Sequence, residues 1–216
     1  MFLQDTRALD PAPEAFRPAP AYTPASMEGD DTDEALMLRY AAGDAGAFDV
    51  LYARHRGGLF RFIVHLLGRD RHLADEIFQD VWTALIAARA SYKPTARFRT
   101  WLFTIAHNRA IDHHRRLRPV EIATSEADDA SDPIQSVPAP ASAQPERIAQ
   151  GRQQAARLLA LVAALPPVQR EAFLLHEEGG LGVDEIARVT GADREAVKSR
   201  LRYALAKLRQ GMEDVL

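Results

Sequence analysis

The stretch GVDEIARVTGADREAVKSRLRYAL, from Gly182 to Leu205, decides the fold of the C-terminal part of this chain. Its apolar residues are spaced as on two short helices. Gly191, between them, suits the left-handed conformation of a tight turn, and Asp193 is a residue type that caps a helix N-terminus. The apolar positions that lock two such helices together are Ile186, Ala187, Val197 and Leu201. The pattern predicts a helix-turn-helix.

The second helix of this motif is basic. From Ala192 to Gln210 the chain carries six basic and two acidic residues. A helix of this size fits the major groove of B-DNA, where side chains near its N-terminus contact base edges. The residues predicted to contact DNA are Arg194, Lys198, Ser199, Arg200 and Arg202. A four-helix domain with merely solvated bases is the alternative interpretation.

The charge alternates in blocks along the 216 residues, although the net charge is only -3. Residues 1–32 have a net charge of -4, residues 33–118 of +5, residues 119–150 of -5 and residues 151–216 of +1. Within the second block, Arg89 to Arg118 holds eight bases against one acid. Such asymmetry favours a polyanionic partner for the basic blocks.

The composition excludes several classes of protein. The chain has no cysteine, so disulfides and cysteine-based zinc sites are impossible. No apolar run approaches the roughly 20 residues of a membrane span, and the N-terminus lacks the pattern of a secretory signal. We therefore expect a soluble, cytoplasmic protein.

Proline content and helical periodicity divide the chain into four parts. Residues 1–31 are rich in proline and alanine and are predicted to be a disordered extension. Residues 32–118 show helical spacing throughout, and residues 119–149 form an acidic Pro/Ala/Ser-rich linker. Residues 150–216 contain the helix-turn-helix. The predicted fold class is all-α, with two small helical domains joined by a flexible acidic linker.

The stretch RFRTWLFTIAHNRAIDHHRR, from Arg97 to Arg116, mixes aromatic, basic and histidine side chains. It allows a packed helix with a solvated basic face, a metal site, or a surface that binds nucleic acid. A core stripe is predicted at Phe98, Trp101, Leu102 and Ile105. His107, His113 and His114 lack the i, i+4 pairing or the carboxylate that zinc sites use. We predict no metal site and no cofactor, with histidines that face solvent or DNA.

Three N-terminal stretches, taken in order with the C-terminal motif, resemble bacterial RNA polymerase sigma factors. GDAGAFDVLYARHRGGLFRF, ADEIFQDVWTAL and the stretch from Arg97 to Arg116 resemble region 2 of the sigma-70 family. The stretch from Leu165 to Arg209 resembles region 4. No further domain fits in the linker, so the chain looks most like the small extracytoplasmic-function (ECF) group. Glu195–Ala196 depart from the usual Gly-Thr at the start of the recognition helix.

The resemblance implies where promoter DNA binds. The helix from Arg97 to Arg116 matches the segment that recognises and melts the −10 element, and Tyr92 and Asn108 match positions that hold a flipped base. Flipped nucleobases regain stacking on aromatic side chains, while basic side chains such as arginine bind the phosphates. The phosphate contacts predicted here are Lys93, Arg97, Arg99, Arg115 and Arg116. The helix-turn-helix residues then contact the −35 element.

The resemblance also implies protein partners. ADEIFQDVW matches the segment that docks on the β′ clamp helices of core RNA polymerase, through Asp75, Glu76, Gln79 and Asp80. Contacts with the β subunit and an anti-sigma factor belong to the same family pattern. The linker would thread toward the active-site channel. The predicted function is promoter-specific initiation without catalysis or a small-molecule substrate.

Two other classes stay open at this point. A stand-alone helix-turn-helix transcriptional regulator would bind duplex DNA without polymerase, and a metal-dependent nuclease would use the histidines. Neither explains the acidic face of ADEIFQDVW or needs the linker. In the free protein we expect two loosely tethered domains, which are spread apart on the polymerase so that the first contacts the −10 element and the second the −35 element.

Overall fold

The computed structural model describes residues 31–68, 70–117 and 145–213. These residues form helices and no β-strand, which confirms the all-α prediction. The N-terminal bundle comprises α1 (Asp33–Ala41), α2 (Ala45–Leu66), α3 (Arg71–Ala88) and α4 (Phe98–Leu117), with a short 3₁₀ turn at Arg89–Ser91. The C-terminal bundle comprises α5 (Pro145–Ala163), α6 (Pro167–Glu177), α7 (Val183–Thr190) and α8 (Arg194–Glu213). The predicted extension before Asp31 and most of the predicted linker lie outside the described residues.

Polar side chains cap the helix N-termini at the places where the sequence offers them. The Thr32 hydroxyl accepts a hydrogen bond of 3.2 Å from the Ala35 N–H and starts α1. The carboxylates of Asp44 and Asp70 cap α2 and α3 in the same way. Each cap satisfies an N–H group that has no partner within the helix.

The core of the N-terminal bundle is built from the apolar faces of all four helices. Leu51, Leu59 and Phe62 of α2 are fully buried against α3 and α4. Trp82 of α3 is also buried, with 6% of its surface exposed, so it is a core residue rather than a surface residue. Ile86, next to the fully buried Leu85 near the C-terminal end of α3, is instead 41% exposed.

The C-terminal bundle confirms the predicted helix-turn-helix. Gly191 ends α7 with φ of 66°, and the Asp193 carboxylate accepts a hydrogen bond of 2.8 Å from the Ala196 N–H to start α8. Ile186, Val197 and Leu201 are buried between the two helices. The α5 and α6 helices pack on the other side of α8 and complete the core.

The two bundles pack directly against each other, so the expectation of loosely tethered domains was wrong for the free protein. The α7 helix contacts α4, and α6 contacts α2. The Thr100 hydroxyl of α4 donates a hydrogen bond of 2.7 Å to the Glu185 carboxylate of α7 in a buried position. Neither residue carries a sequence signal for a partner 85 positions away.

Candidate nucleic-acid and polymerase interfaces

The α4 helix is held in place by its apolar face and by α1. Phe98, Leu102 and Phe103 are almost completely buried, whereas Trp101 and Ile105 of the predicted stripe are only partly buried. The Phe98 N–H donates a hydrogen bond of 2.7 Å to the Glu34 carboxylate of α1. A side chain from another helix therefore caps the N-terminus of α4.

The α1 helix is in turn fixed to α2 by Asp33. Its carboxylate lies 2.8 Å from Nε2 of the buried His55 and 3.1 Å from the Arg54 guanidinium. Burial acts to raise the pKa of Asp33, but the hydrogen bonds and charges of His55 and Arg54 outweigh it and lower that pKa. Asp33 thus stays ionised at neutral pH and holds the helix that positions α4.

Basic side chains surround the N-terminal end of α4. Lys93 is exposed, Arg97 has 46% of its side chain exposed and Arg99 is half-buried. Arg97 and Arg99 line a cleft of about 450 Å³ whose other walls are Asp33, Glu34, Arg54 and His55. The structure therefore brings two of the five predicted phosphate contacts together at one cleft.

Two further predicted phosphate contacts, Arg115 and Arg116, lie at the far end of α4. Arg115 is exposed there, and the side chain of Arg116 lies outside the described residues. Since α4 spans 20 residues at about 1.5 Å each, Arg115 lies roughly 25 Å from Arg97. The predicted contacts therefore follow the helix from end to end instead of forming one cluster.

Tyr92 forms an aromatic pair with Trp101. The two ring centroids are 4.9 Å apart, and the Tyr92 hydroxyl is buried without a hydrogen-bond partner among the described residues. Burial, followed by the charges of Glu34 and Asp33, raises the pKa of this hydroxyl far above its usual range. Tyr92 therefore stays neutral and offers an aromatic surface rather than a charge.

Asn108 does not share the position of Tyr92. It lies seven residues beyond Trp101 on α4, or about 10 Å along the helix axis. Its side chain is partly buried, and its amide oxygen lies 3.4 Å from Nδ1 of His107. The two residues predicted to capture a base are therefore separated by two helical turns.

His107 is buried, so the prediction that it faces solvent or DNA was wrong. Its Nε2 atom lies 2.9 Å from the Glu171 carboxylate of α6, and its side chain is 6% exposed. Sequence reasoning missed this role because Glu171 belongs to the other bundle. Among the described residues, no group of three histidine or acidic side chains is arranged to hold a metal ion.

The four polar residues predicted to bind polymerase lie on the outer face of α3. Asp75, Glu76, Gln79 and Asp80 are all exposed. Ala74, Ile77 and Val81 are buried on the opposite face, as the helical spacing predicts. The outer face is therefore a continuous acidic and amide surface over about one and a half helical turns.

A strip of aromatic rings on α2 and α3, which combines the buried Trp82 with partly buried rings, was not predicted. The Phe60 and Phe78 ring centroids are 5.4 Å apart, and those of Tyr52 and Trp82 are 4.8 Å apart. The i, i+4, i+12 spacing of Phe48, Tyr52 and Phe60 was the available signal, but it is also typical of core residues. The structure leaves these three rings half-buried.

The α8 helix presents its basic residues on the side away from the core. Arg194, Lys198 and Arg202 are exposed, and Ser199 and Arg200 are partly buried. Acidic neighbours pair with two of them: Arg194 lies 3.0 Å from Asp184, and Lys198 lies 2.7 Å from Glu195. Arg194 and Lys198 would therefore have to leave their ion pairs with Asp184 and Glu195 in order to contact DNA.

Exposed apolar side chains accompany the bases further along α8. Tyr203 is 53% exposed and Leu205 is 42% exposed. The Arg202 guanidinium lies 5.0 Å from the centre of the Tyr203 ring, within the range of a cation–π contact.

None of the helices in the described parts of the chain is long and apolar enough to cross a membrane.

The fold and these surfaces define a two-part helical DNA-binding protein with a helix-turn-helix in its second part. The family model for Sigma-70 region 2 matches residues 51–120, and that for Sigma-70 region 4 matches residues 155–208. The chain belongs to the sigma-70 family of RNA polymerase sigma factors, in the ECF group. Its function is to direct RNA polymerase to promoters.

Relatives resemble the chain over most of its length. It is 32% identical over 174 residues to the RNA polymerase sigma factor CarQ of Myxococcus xanthus, which covers 81% of this chain and 94% of CarQ. It is 30% identical over 190 residues to the ECF RNA polymerase sigma factor SigK of Mycobacterium tuberculosis, which covers 83% of this chain and 93% of SigK.

Two solved structures share the fold. One is CnrH in complex with the cytosolic domain of CnrY, with a TM-score of 0.58 and 25% identity over 85% of this chain and 99% of that chain. The other is the sigma factor RpoE in complex with the anti-sigma factor NepR from Bartonella quintana. Its TM-score is 0.56, with 21% identity over 78% of this chain and 98% of that chain.

Proposed function

We propose that the two bundles divide promoter recognition between them. The N-terminal bundle, within residues 32–118, binds core polymerase and the −10 element, and the C-terminal bundle, within residues 150–216, binds the −35 element. The observation that carries this proposal is α4, whose apolar face is buried while basic side chains and the Tyr92–Trp101 pair flank its N-terminus. A strand is held there by charge and a base by stacking.

Melting uses the aromatic pair and Asn108 at different places on one strand. Lys93, Arg97 and Arg99 hold the phosphates at the N-terminus of α4, and Arg115 and Arg116 hold them further along. The separation of about 10 Å between Trp101 and Asn108 suits two nucleotides of a single strand better than one base pocket. Tyr92 stacks on one base while Asn108 hydrogen-bonds another.

Core polymerase docks on the outer face of α3. Asp75, Glu76, Gln79 and Asp80 meet a basic surface of the β′ clamp helices, and a further contact is made to the β subunit. The half-buried α2 rings of Phe48, Tyr52 and Phe60 contact Phe78 or Trp82 of α3 and add apolar area to this interface. Charged and aromatic groups together give such an interface both orientation and affinity.

The C-terminal helix-turn-helix contacts the −35 element through Arg194, Lys198, Ser199, Arg200 and Arg202. The protein acts as a specificity subunit in the cytoplasm, without catalysis, cofactor or small-molecule substrate. An anti-sigma factor is a further partner, because the similar protein CnrH forms a complex with CnrY. A stand-alone regulator would leave the exposed acidic face of α3 without a role.

Transcript mapping tests the proposal. Purified protein is added to core RNA polymerase with genomic DNA, and the 5′ ends of the transcripts are compared with those from core enzyme alone. We expect new start sites that share two sequence elements upstream. A set of start sites identical to that of core enzyme would overturn the proposal.

A further inference from the structure

We infer that Glu195, at the start of α8, is a specificity-determining residue that recognises a cytosine of the −35 element, and that Lys198 contacts the guanine paired with that cytosine. The inference rests on the proposed function, from which it takes that α8 enters the DNA groove. Glu195 was not among the predicted DNA contacts, which are four basic residues and one serine of α8. It is nevertheless an acid on the surface that three of those contacts share.

Glu195 lies on the face of α8 that points away from the core. Lys198, Ser199 and Arg202 follow it at i+3, i+4 and i+7, and residues at this spacing share one face of a helix. The buried residues of α8, which lie on the side of the helix turned toward the bundle, are Val197, Leu201, Ala204 and Leu208. The Glu195 carboxylate therefore stands among three of the five predicted −35 contacts.

The position of Glu195 along α8 also suits contact with bases. It is the second residue of the helix, and 78% of its side chain is exposed. Residues near the N-terminus of a recognition helix contact base edges in the major groove. The Asp193 carboxylate already caps α8 through the Ala196 N–H, so Glu195 is not needed as the cap. Its ionic partner among the described residues is Lys198, at 2.7 Å.

A carboxylate at this place is selective because most groups of the major groove repel it. Phosphates are negative, and O6 and N7 of guanine and O4 of thymine are hydrogen-bond acceptors. An ionised carboxylate only accepts hydrogen bonds, so it binds the amino groups of cytosine or adenine. Glutamate pairs characteristically with the N4 amino group of cytosine. Glu195 therefore favours an amino group in front of it and disfavours thymine and guanine there.

Lys198 adds a preference for cytosine over adenine. Its ammonium group only donates hydrogen bonds. In a C·G pair the partner base is guanine, with the two acceptors O6 and N7, whereas in an A·T pair it is thymine, with one acceptor and a methyl group. On DNA the ion pair is therefore exchanged for two contacts on one base pair. The Glu195 carboxylate accepts from cytosine N4, and the Lys198 ammonium donates to guanine.

Selection from a promoter library tests the inference. Core RNA polymerase with the purified full chain binds DNA fragments that carry the −10 element of a mapped promoter and a randomised −35 segment, and the bound fragments are sequenced. The wild type should favour cytosine over thymine about tenfold at one position of the −35 segment. The variants are Glu195→Ala, Glu195→Gln and Lys198→Ala.

Each variant has its own expected base profile. Glu195→Ala should lose the preference at that position and keep the preferences elsewhere. Glu195→Gln should move the preference toward adenine, because an amide pairs with N6 and N7 of adenine. Lys198→Ala should weaken the preference at the same position, because Lys198 contacts the other base of that pair. Effects of the Glu195 and Lys198 variants at two different positions would overturn the shared base pair.

Glu213→Gln is the matched control for charge. Glu213 is exposed on the same helix face, since the 18 residues from Glu195 are five turns, and it lies about 27 Å further along α8. Its base profile should equal that of the wild type. If Glu195→Gln instead strengthens binding to every sequence alike, Glu195 merely repels phosphates and the inference is overturned.

Thermal unfolding followed by circular dichroism checks the fold of the variants. Glu195→Gln and the wild type should have the same midpoint, because the Asp193 cap of α8 does not involve Glu195. A lower midpoint, together with an equal loss of binding to all sequences, would assign Glu195 to the stability of the helix and overturn the inference.

The library also separates the inference from the proposed function. If the wild type selects no −35 sequence, the assignment of the −35 element to the C-terminal bundle fails, and the inference fails with it. If the wild type selects a −35 sequence and Glu195→Ala selects the same sequence with the same preferences, the function stands and the inference alone fails.

Discussion

The Nε2 atom of His107 lies 2.9 Å from the Glu171 carboxylate, and this pair joins α4 to α6 in a nearly buried position. Removing one member of such a pair leaves the other without its partner in a poorly solvated place, which costs about 1–3 kcal/mol. We expect His107→Ala to lower the free energy of unfolding by that amount. His113→Ala, at a partly exposed position of the same helix, should change it by less than about 0.5 kcal/mol. Urea titration of both variants checks this, and equal losses would contradict a specific pair.

The lowered pKa of Asp33 predicts that the free energy of unfolding depends on pH. Its pKa is lowered in the folded protein, so its contribution is present above the unfolded pKa of about 3.9 and is lost as the pH falls through the folded value. Asp33→Asn should cost about 1–2 kcal/mol at pH 7, because the buried His55 loses its partner. The difference in the free energy of unfolding between Asp33→Asn and the wild type should be smaller at pH 3. Urea titration at both pH values measures it, with the exposed Asp49→Asn as control; a cost that does not change with pH would contradict the prediction.

The contacts of Tyr92 predict that two substitutions at this position affect promoter melting differently. Its hydroxyl has no partner among the described residues, and its ring packs on Trp101. Tyr92→Phe should therefore retain promoter melting, whereas Tyr92→Ala should lose the stacking surface, worth about 1–3 kcal/mol per base. Permanganate reactivity of −10 thymines measures melting, and gel shift of the closed complex at low temperature is the control. Equal loss in both assays would indicate a folding defect.

The outer face of α3 predicts the strength of polymerase binding. Glu76 and Asp80 are exposed one helical turn apart. Glu76→Lys with Asp80→Lys reverses the charge that faces a basic partner, and we expect at least a tenfold loss of affinity for core enzyme, or about 1.4 kcal/mol. Glu213→Lys, exposed at the end of α8, is the control. Fluorescence anisotropy with labelled protein measures the affinity; an unchanged value would remove this face from the interface.

The exposed face of α8 predicts two kinds of DNA contact. Lys198→Ala and Arg200→Ala should weaken binding to the −35 element by about 1–3 kcal/mol if these side chains contact bases. Lys207→Ala, exposed about two turns beyond Arg200 on α8, should weaken binding equally for all sequences and lower the salt dependence. A competition assay with randomised −35 sequences separates the two effects. Unchanged sequence preference in the first two variants would restrict them to phosphate contacts.

The sequence by itself determined the helices and the family. Thr32, Asp44 and Asp193 are capping residues that act within three positions of themselves, and Gly191 ends α7 through its own backbone angle. Apolar spacing separated the buried from the exposed face of α3 in the same local way. These signals lie within a few residues of each other, so a short window of sequence contains them.

Only the tertiary structure decided how the two bundles meet. Thr100 and Glu185 are 85 residues apart, and no periodicity or cap links them. His107 was predicted to face solvent or DNA because its partner Glu171 lies beyond the linker, and Glu185 lies in the first turn of α7, where acidic residues are common without any distant partner. Whether a polar side chain faces water or a partner depends on which distant surface is packed against it, and that packing is decided by shape and charge in three dimensions.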